Sequence, residues 1–273
     1  MGALPGEVGA REGLRDRCPP AGDGQLARGA RPGVRAVPHL RQRVVALRVP
    51  RDLHLPTPSA HRSRLRAAST PAPHNGGVSI PSVTAIVLCG GAGRRFGGDK
   101  TRADLAGSPV LDHVLDGLPS AWPVVCVGDP RPTARPVAWC REDPPGGGPV
   151  AAIAAALPHV DSPVVVVLGG DMPYAASPAP DLASRLAVGP GLDVVLGRDG
   201  DGRLQPLLAA YRTEALCAAL PKPAAGTPLM RLLDSLRTLV VALPEGAALD
   251  VDTTADLDRA RRRPRPTRHR LDP

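Results

Sequence analysis

Between residues 82 and 262, short and wholly apolar runs alternate with stretches whose apolar positions recur at helical spacing. The runs Ala85-Ile86-Val87-Leu88 and Val164-Val165-Val166-Val167-Leu168 are apolar at every position rather than at every second one. That is the pattern of parallel strands covered on both faces. It predicts strands over 84–88, 124–127, 164–168, 193–196, 206–211 and 238–243. Helices are predicted over 110–118, 150–157, 181–188, 213–220, 229–236 and 254–262. Strands alternating with helices in this way imply an α/β fold, a Rossmann-like, doubly wound and mostly parallel sheet. Ligands in such sheets sit beyond the carboxyl ends of the strands. Chemistry is therefore to be sought in the loops after Leu88 and after Leu168.

Residues 1–80 read differently. They carry 13 Arg, 5 acidic residues and no Lys, are rich in Pro and Gly, and show no sustained period. Such a segment buries too little apolar surface to offset its ordering entropy, so a disordered Arg/Pro/Gly-rich extension is expected over 1–80. It has no apolar core of a secretory signal, and Glu7, Glu12, Asp16 and Asp23 depart from an organellar transit peptide. A chain with 32 Arg against 2 Lys also fits translation from an upstream start in GC-rich DNA. The body expected to fold is 81–262, followed by a basic tail over 263–273.

Charge follows the same division. The chain's +8 is the balance of +8 over 1–80, −6 over 81–258 and +6 over 259–273. A nucleic-acid binder carries its positive charge on a folded face, whereas here the folded body is acidic. Aromatic residues make up only 2% of the chain, too few for base-stacking platforms. No run approaches the roughly 18–20 apolar residues of a membrane span, and a cytoplasmic protein is expected. The five cysteines are odd in number and form no C-x-x-C pair. Reduced thiols packed as small hydrophobes are expected rather than a disulfide framework or a zinc site.

The loop after the first strand reads Cys89-Gly90-Gly91-Ala92-Gly93-Arg94-Arg95-Phe96-Gly97-Gly98-Asp99-Lys100. Glycines let backbone N–H groups converge on phosphate oxygens, and the three cations add charge, so the segment reads as an anion cradle. It is not a P-loop, because Asp99 separates Gly98 from Lys100, nor a dinucleotide fingerprint, because Phe96 stands where its last glycine belongs. The plain alternative is a flexible turn. After the strand 164–168 comes Gly169-Gly170-Asp171-Met172-Pro173, where a carboxylate at a strand end suits Mg²⁺ and an Asx-turn is the alternative.

LCGGAGRRFGGDK closely resembles the signature of the molybdenum cofactor guanylyltransferase family, with Cys89 in place of the usual Ala and Phe96 in place of Met. The resemblance runs from about Val83 to Arg262 and implies a nucleotidyltransferase domain of the nucleotide-diphospho-sugar transferase type. It implies that Leu88, Gly90, Gly91, Gly93, Lys100, Asp143 and Asp171 contact the nucleotide, Asp143 or its neighbour Glu142 reading the guanine. Catalytic roles would fall to Arg94, Lys100 and Asp171, with Arg95 helping to hold the triphosphate. Mg²⁺ is the implied cofactor, held by Asp171 and by Asp252 of Asp250-Val251-Asp252-Thr253. There a helix cap at Thr253 is the simpler alternative. Gln205-Pro206-Leu207, Tyr211 and Arg231 also match family positions, although for Arg231 a solvated helix face is the simpler reading.

The implied reaction moves GMP from GTP to the phosphate of a molybdopterin-type acceptor, releasing pyrophosphate. Transient contact with molybdoenzymes or cofactor-insertion proteins is expected, and no nucleic acid or membrane partner. Where the family commonly has a base-contacting Asn, after the second strand, this chain has Gly128-Asp129-Pro130. That keeps open a relative using CTP or a sugar-phosphate acceptor, and a nucleotide-binding regulator without activity.

Overall fold

The computed structural model describes residues 81–91 and 96–263. The first strand, β1 (Val83–Leu88), is buried at all six positions. Its side chains divide between two cores: Val83, Ala85 and Val87 face one, Ile86 and Leu88 the other. The chain then forms a small hairpin of β2 (Asp104–Leu105) and β3 (Ser108–Pro109), the helix α1 (Val110–Gly117), and the strands β4 (Val124–Val127) and β5 (Ala138–Cys140). Next come α2 (Pro149–Ala156), β6 (Val164–Gly169), α3 (Ala179–Val188), β7 (Val194–Arg198) and β8 (Leu204–Arg212). The elements α4 (Thr213–Ala219), β9 (Thr238–Ala242) and α5 (Thr254–Arg261) complete the order.

Seven of the strands make one sheet in the order β5-β4-β1-β6-β8-β7-β9. Within it β8 pairs antiparallel with both neighbours and the remaining pairs are parallel. From β1 the chain first builds outward through β4 and β5, then returns to place β6 on the other side of β1. The gap between the carboxyl ends of β1 and β6 is thus the switch point where doubly wound sheets bind ligands. On one face α1 and α3 supply Leu111, Val114, Leu115, Leu182 and Leu186 to the core; on the other α2 and α4 supply Val150, Ile153 and Leu216. Val, Leu and Ala fill both layers, as the scarcity of aromatic residues requires.

Three elements depart from the pattern read in the sequence. The segment expected to be a helix over 229–236 is a 3-10 helix, Leu229–Leu233. The edge strand β5 and the hairpin of β2 and β3 are two or three residues long, too short to show a period. Cys89, Cys126 and Cys140 are free thiols, the first two buried, whereas Cys217 is disulfide-bonded, against the expectation of reduced cysteines throughout. No helix among the described residues is long and apolar enough to cross a membrane. The expected extension over 1–80 lies outside the described residues, as does the tail apart from Arg263.

Candidate active site

The two turns at the switch point are packed directly against each other. Gly170, just past β6, donates its N–H to the Leu88 carbonyl at 2.9 Å. A Cβ on Gly170 would lie 3.0 Å from that carbonyl oxygen and 3.2 Å from the Cys89 sulfur, so the close approach of the two turns favours glycine. The next residue, Asp171, accepts a hydrogen bond at its backbone oxygen from the Val251 N–H, 3.0 Å away. That bond brings the segment before α5 alongside the turn and delivers Asp252 to the site. Thr253 caps α5 in a full capping box with Asp256. The cap and the delivery of Asp252 are therefore compatible: the first fixes the start of the helix, the second uses the residue before it.

Lys100 closes the glycine loop. Asp99 caps the 3-10 turn Lys100–Arg102 by accepting from the Thr101 N–H, and the lysine side chain reaches across the mouth of the cleft. Its Nζ lies 2.5 Å from Asp171 Oδ2 and 2.5 Å from Asp252 Oδ1, with only 18% of the side chain exposed. Burial works against the charge on Lys100, but the hydrogen bonds and charges of Asp171 and Asp252 outweigh it and raise its pKa. Asp250, two residues before Asp252, has its pKa raised by burial and then by the charges of Asp252 and Asp171. Sequence reasoning passed over Asp250, although the Asp-x-Asp spacing was the signal for it.

Two carboxylates from separate elements thus meet at one point already holding a cation. Mg²⁺ is commonly bound through one or two protein carboxylates, with substrate phosphates and water completing its shell. The hard-oxygen pair Asp171 and Asp252 fits that requirement. Among the described residues no group of three or more His, Cys, Asp or Glu is arranged to hold a metal by itself.

The remaining expected residues fall as follows. Leu88 ends β1 and Gly90 and Gly91 open the loop, the latter at φ +146. Gly93 and Arg94, with Arg95, lie outside the described residues. Of the two neighbouring acids, Asp143 is exposed and Glu142 half-buried. Glu142 Oε1 accepts from the Gly146 N–H at 3.0 Å and lies 4.0 Å from where a Cβ on Gly90 would stand. Glu142 is thus the acid that faces the glycine loop. Tyr211 is fully buried with its hydroxyl donating to the Pro206 carbonyl at 3.0 Å, and Gln205 donates to Asp199 at 2.8 Å. Arg231 is exposed, the solvated reading.

A doubly wound sheet with a closing lysine and paired carboxylates at its switch point suits the binding of nucleotide phosphates. The comparisons with known proteins agree: the family model described as MobA-like NTP transferase domain matches residues 85–239. The chain belongs to that family. Among its relatives, the probable molybdenum cofactor guanylyltransferase of Deinococcus radiodurans is 33% identical over 179 residues, 64% of this chain and 92% of that protein. The protein of the same description from Natronomonas pharaonis is 30% identical over 200 residues, 66% of this chain and 97% of that one. In fold, the chain is similar to molybdopterin-guanine dinucleotide biosynthesis protein A from Archaeoglobus fulgidus. The TM-score is 0.51 at 24% identity, over 65% of this chain and 96% of that structure.

Proposed function

We propose that the protein transfers GMP from GTP to the terminal phosphate of molybdopterin or its molybdenum-bound form, releasing pyrophosphate. The observation that carries this reading is the placing of Lys100 between Asp171 and Asp252 at the exits of β1 and β6, at the end of the glycine loop. An acceptor phosphate oxygen forms the new bond to the α-phosphorus, and the bond to the bridging oxygen of the β-phosphate breaks. The acceptor is already anionic, so no strong base is required. What limits the reaction is bringing polyanions together in line. Backbone N–H groups of the glycine loop and the Lys100 ammonium bind and orient the triphosphate, and Lys100 offsets charge that develops on the leaving group. Asp171 and Asp252 would hold Mg²⁺, which when bound neutralises phosphate charge. The names of the relatives supply the nucleotide and the acceptor.

Selectivity for the base rests on fewer residues than the transfer does. Glu142, whose Oε1 lies 4.0 Å from where a Cβ on Gly90 would stand, would accept from the amino and ring N–H groups of guanine. After β4, where the family commonly has a base-contacting Asn, the chain runs Gly128-Asp129-Pro130, with Gly128 at φ +147. That second observation favours weighing CTP as the donor. Pyrophosphate release with purified cofactor should be measured with GTP and with CTP; faster release with CTP overturns the guanine reading. Asp171→Ala is expected to lower turnover by at least about 100-fold while the melting curve stays cooperative. Wild-type turnover by that variant in Mg²⁺ would defeat the assignment.

A further inference from the structure

Beside the turn that carries Lys100 lies an arginine whose burial the proposed reaction does not use. Arg131 lies in the Pro-rich connection after β4, with only 8% of its side chain exposed. Its Nη1 donates to Asp99 Oδ2 at 2.5 Å and its Nη2 donates to the Thr101 hydroxyl. That hydroxyl in turn donates to Asp99 Oδ1 at 2.6 Å. The guanidinium also lies over the Trp139 ring of β5, 5.5 Å from its centre. Among the described residues no acceptor reaches its buried Nε. A guanidinium withdrawn from water is costly, and more so when one of its donors goes unmatched. Its hydrogen bonds go not to its own loop but to the two residues on either side of Lys100.

We propose that Arg131 is a positioning residue: by clamping Asp99 and Thr101 it fixes the turn that aims the Lys100 ammonium between Asp171 and Asp252. Its importance for turnover rests on the transfer reading above; its effect on Lys100 does not. The fork of the guanidinium spans a carboxylate and a hydroxyl at once while its flat face rests on an indole. Lysine reproduces neither contact. A merely local role, closing the loop after β4, would leave Lys100 unaffected.

Two measurements on the full chain decide. The chain has only two lysines, Lys100 and Lys222. Acylation by a water-soluble amine-reactive ester, read by peptide mass spectrometry, therefore reports Lys100 against an exposed internal reference. In Arg131→Ala the labelling of Lys100 relative to Lys222 is expected to rise several-fold. Turnover by the same variant is expected to fall about 10- to 100-fold in kcat, since a displaced group near 1 Å costs on that order. KM for GTP should move less than about threefold, the loop backbone still holding the triphosphate. Arg131→Lys should stay close to Arg131→Ala, and Arg131→Ala combined with Asp99→Asn should be no worse than the more affected single variant.

Unchanged Lys100 labelling in a variant with a wild-type circular dichroism spectrum and melt overturns the proposal, as does full rescue by Arg131→Lys. Independent, multiplying losses in the double variant overturn the route through Asp99. Should Arg131→Ala fail to fold, Arg131→Lys and Asp99→Asn carry the same two readouts. Should the wild-type protein release no pyrophosphate with any nucleotide, the transfer reading falls while the labelling still decides the role of Arg131.

Discussion

Lys100 is the residue on which the site's electrostatics turn. It separates two carboxylates that would otherwise face each other across a partly buried cleft, and each is within 2.5 Å of its nitrogen. Lys100→Met leaves that pair unneutralised. Breaking a fully buried pair costs several kcal/mol; with 39% of Asp252 exposed to solvent, the expected loss is nearer about 1–2 kcal/mol. A divalent cation can then take the place of the ammonium. Addition of millimolar Mg²⁺ is therefore expected to raise the melting temperature of Lys100→Met more than that of the wild-type protein. An equal response of the two in differential scanning fluorimetry would show that Asp171 and Asp252 do not form a cation site together. Gly170 is the other position where a single atom matters: Gly170→Ala places a Cβ 3.0 Å from the Leu88 backbone oxygen, so the two turns must part by a few tenths of an ångström. A cost of about 1–3 kcal/mol is expected in chemical denaturation, with turnover falling because Asp171 moves with the turn.

Elements differ in how plainly the sequence announces them. β1 and β6 are apolar throughout, and their register pairs Val83 to Val164 and Leu88 to Gly169. A run of that kind has few alternatives to a central strand, so the loops that end it could be singled out by position alone. Asp171 was legible for the same reason, being the first charged residue past a buried strand. Arg131 was not, and Glu142 could not be told from its neighbour Asp143, because both sit in Pro- and Gly-rich connections whose shape is set by what packs on them rather than by any period. The same holds for β5, a three-residue edge strand beside a Pro-rich segment. Between these extremes lies α5, whose start is written in the capping box of Thr253 and Asp256. Thr253→Ala is expected to cost about 1 kcal/mol of stability. Because Asp252 directly precedes the cap, it should also lower turnover in Mg²⁺ at temperatures well below the melt, which a helix remote from the site would not do.

At the scale of the molecule the two ends of the sheet do separate work. Leu88, Val127 and Gly169 end their strands on the side of Lys100 and Asp171; at the opposite end, Asp193 precedes β7 and Arg237 precedes β9. There the Asp193 carboxylate accepts from the Arg237 backbone N–H at 2.9 Å and from its Nε and Nη2 at 2.8 Å. These bonds tie the outermost strand to the sheet. The hydrogen bond from Arg237 leads the causes that hold the Asp193 carboxyl below its ordinary value, ahead of the opposing effect of burial. The folded protein therefore takes up this proton at lower pH than the unfolded chain does. The contribution is complete above the unfolded pKa near 4 and is lost as pH falls through the lower folded value. Asp193→Asn should lower the melting temperature by roughly 2–4 °C at pH 7, and the gap from the wild-type protein should close as the pH is taken below 4. Turnover at 25 °C should stay within twofold, since no atom of the pair approaches the cleft. A variant that melted normally but lost activity would show that the far end of the sheet is coupled to the site, and that the separation of stability from chemistry along the strands does not hold.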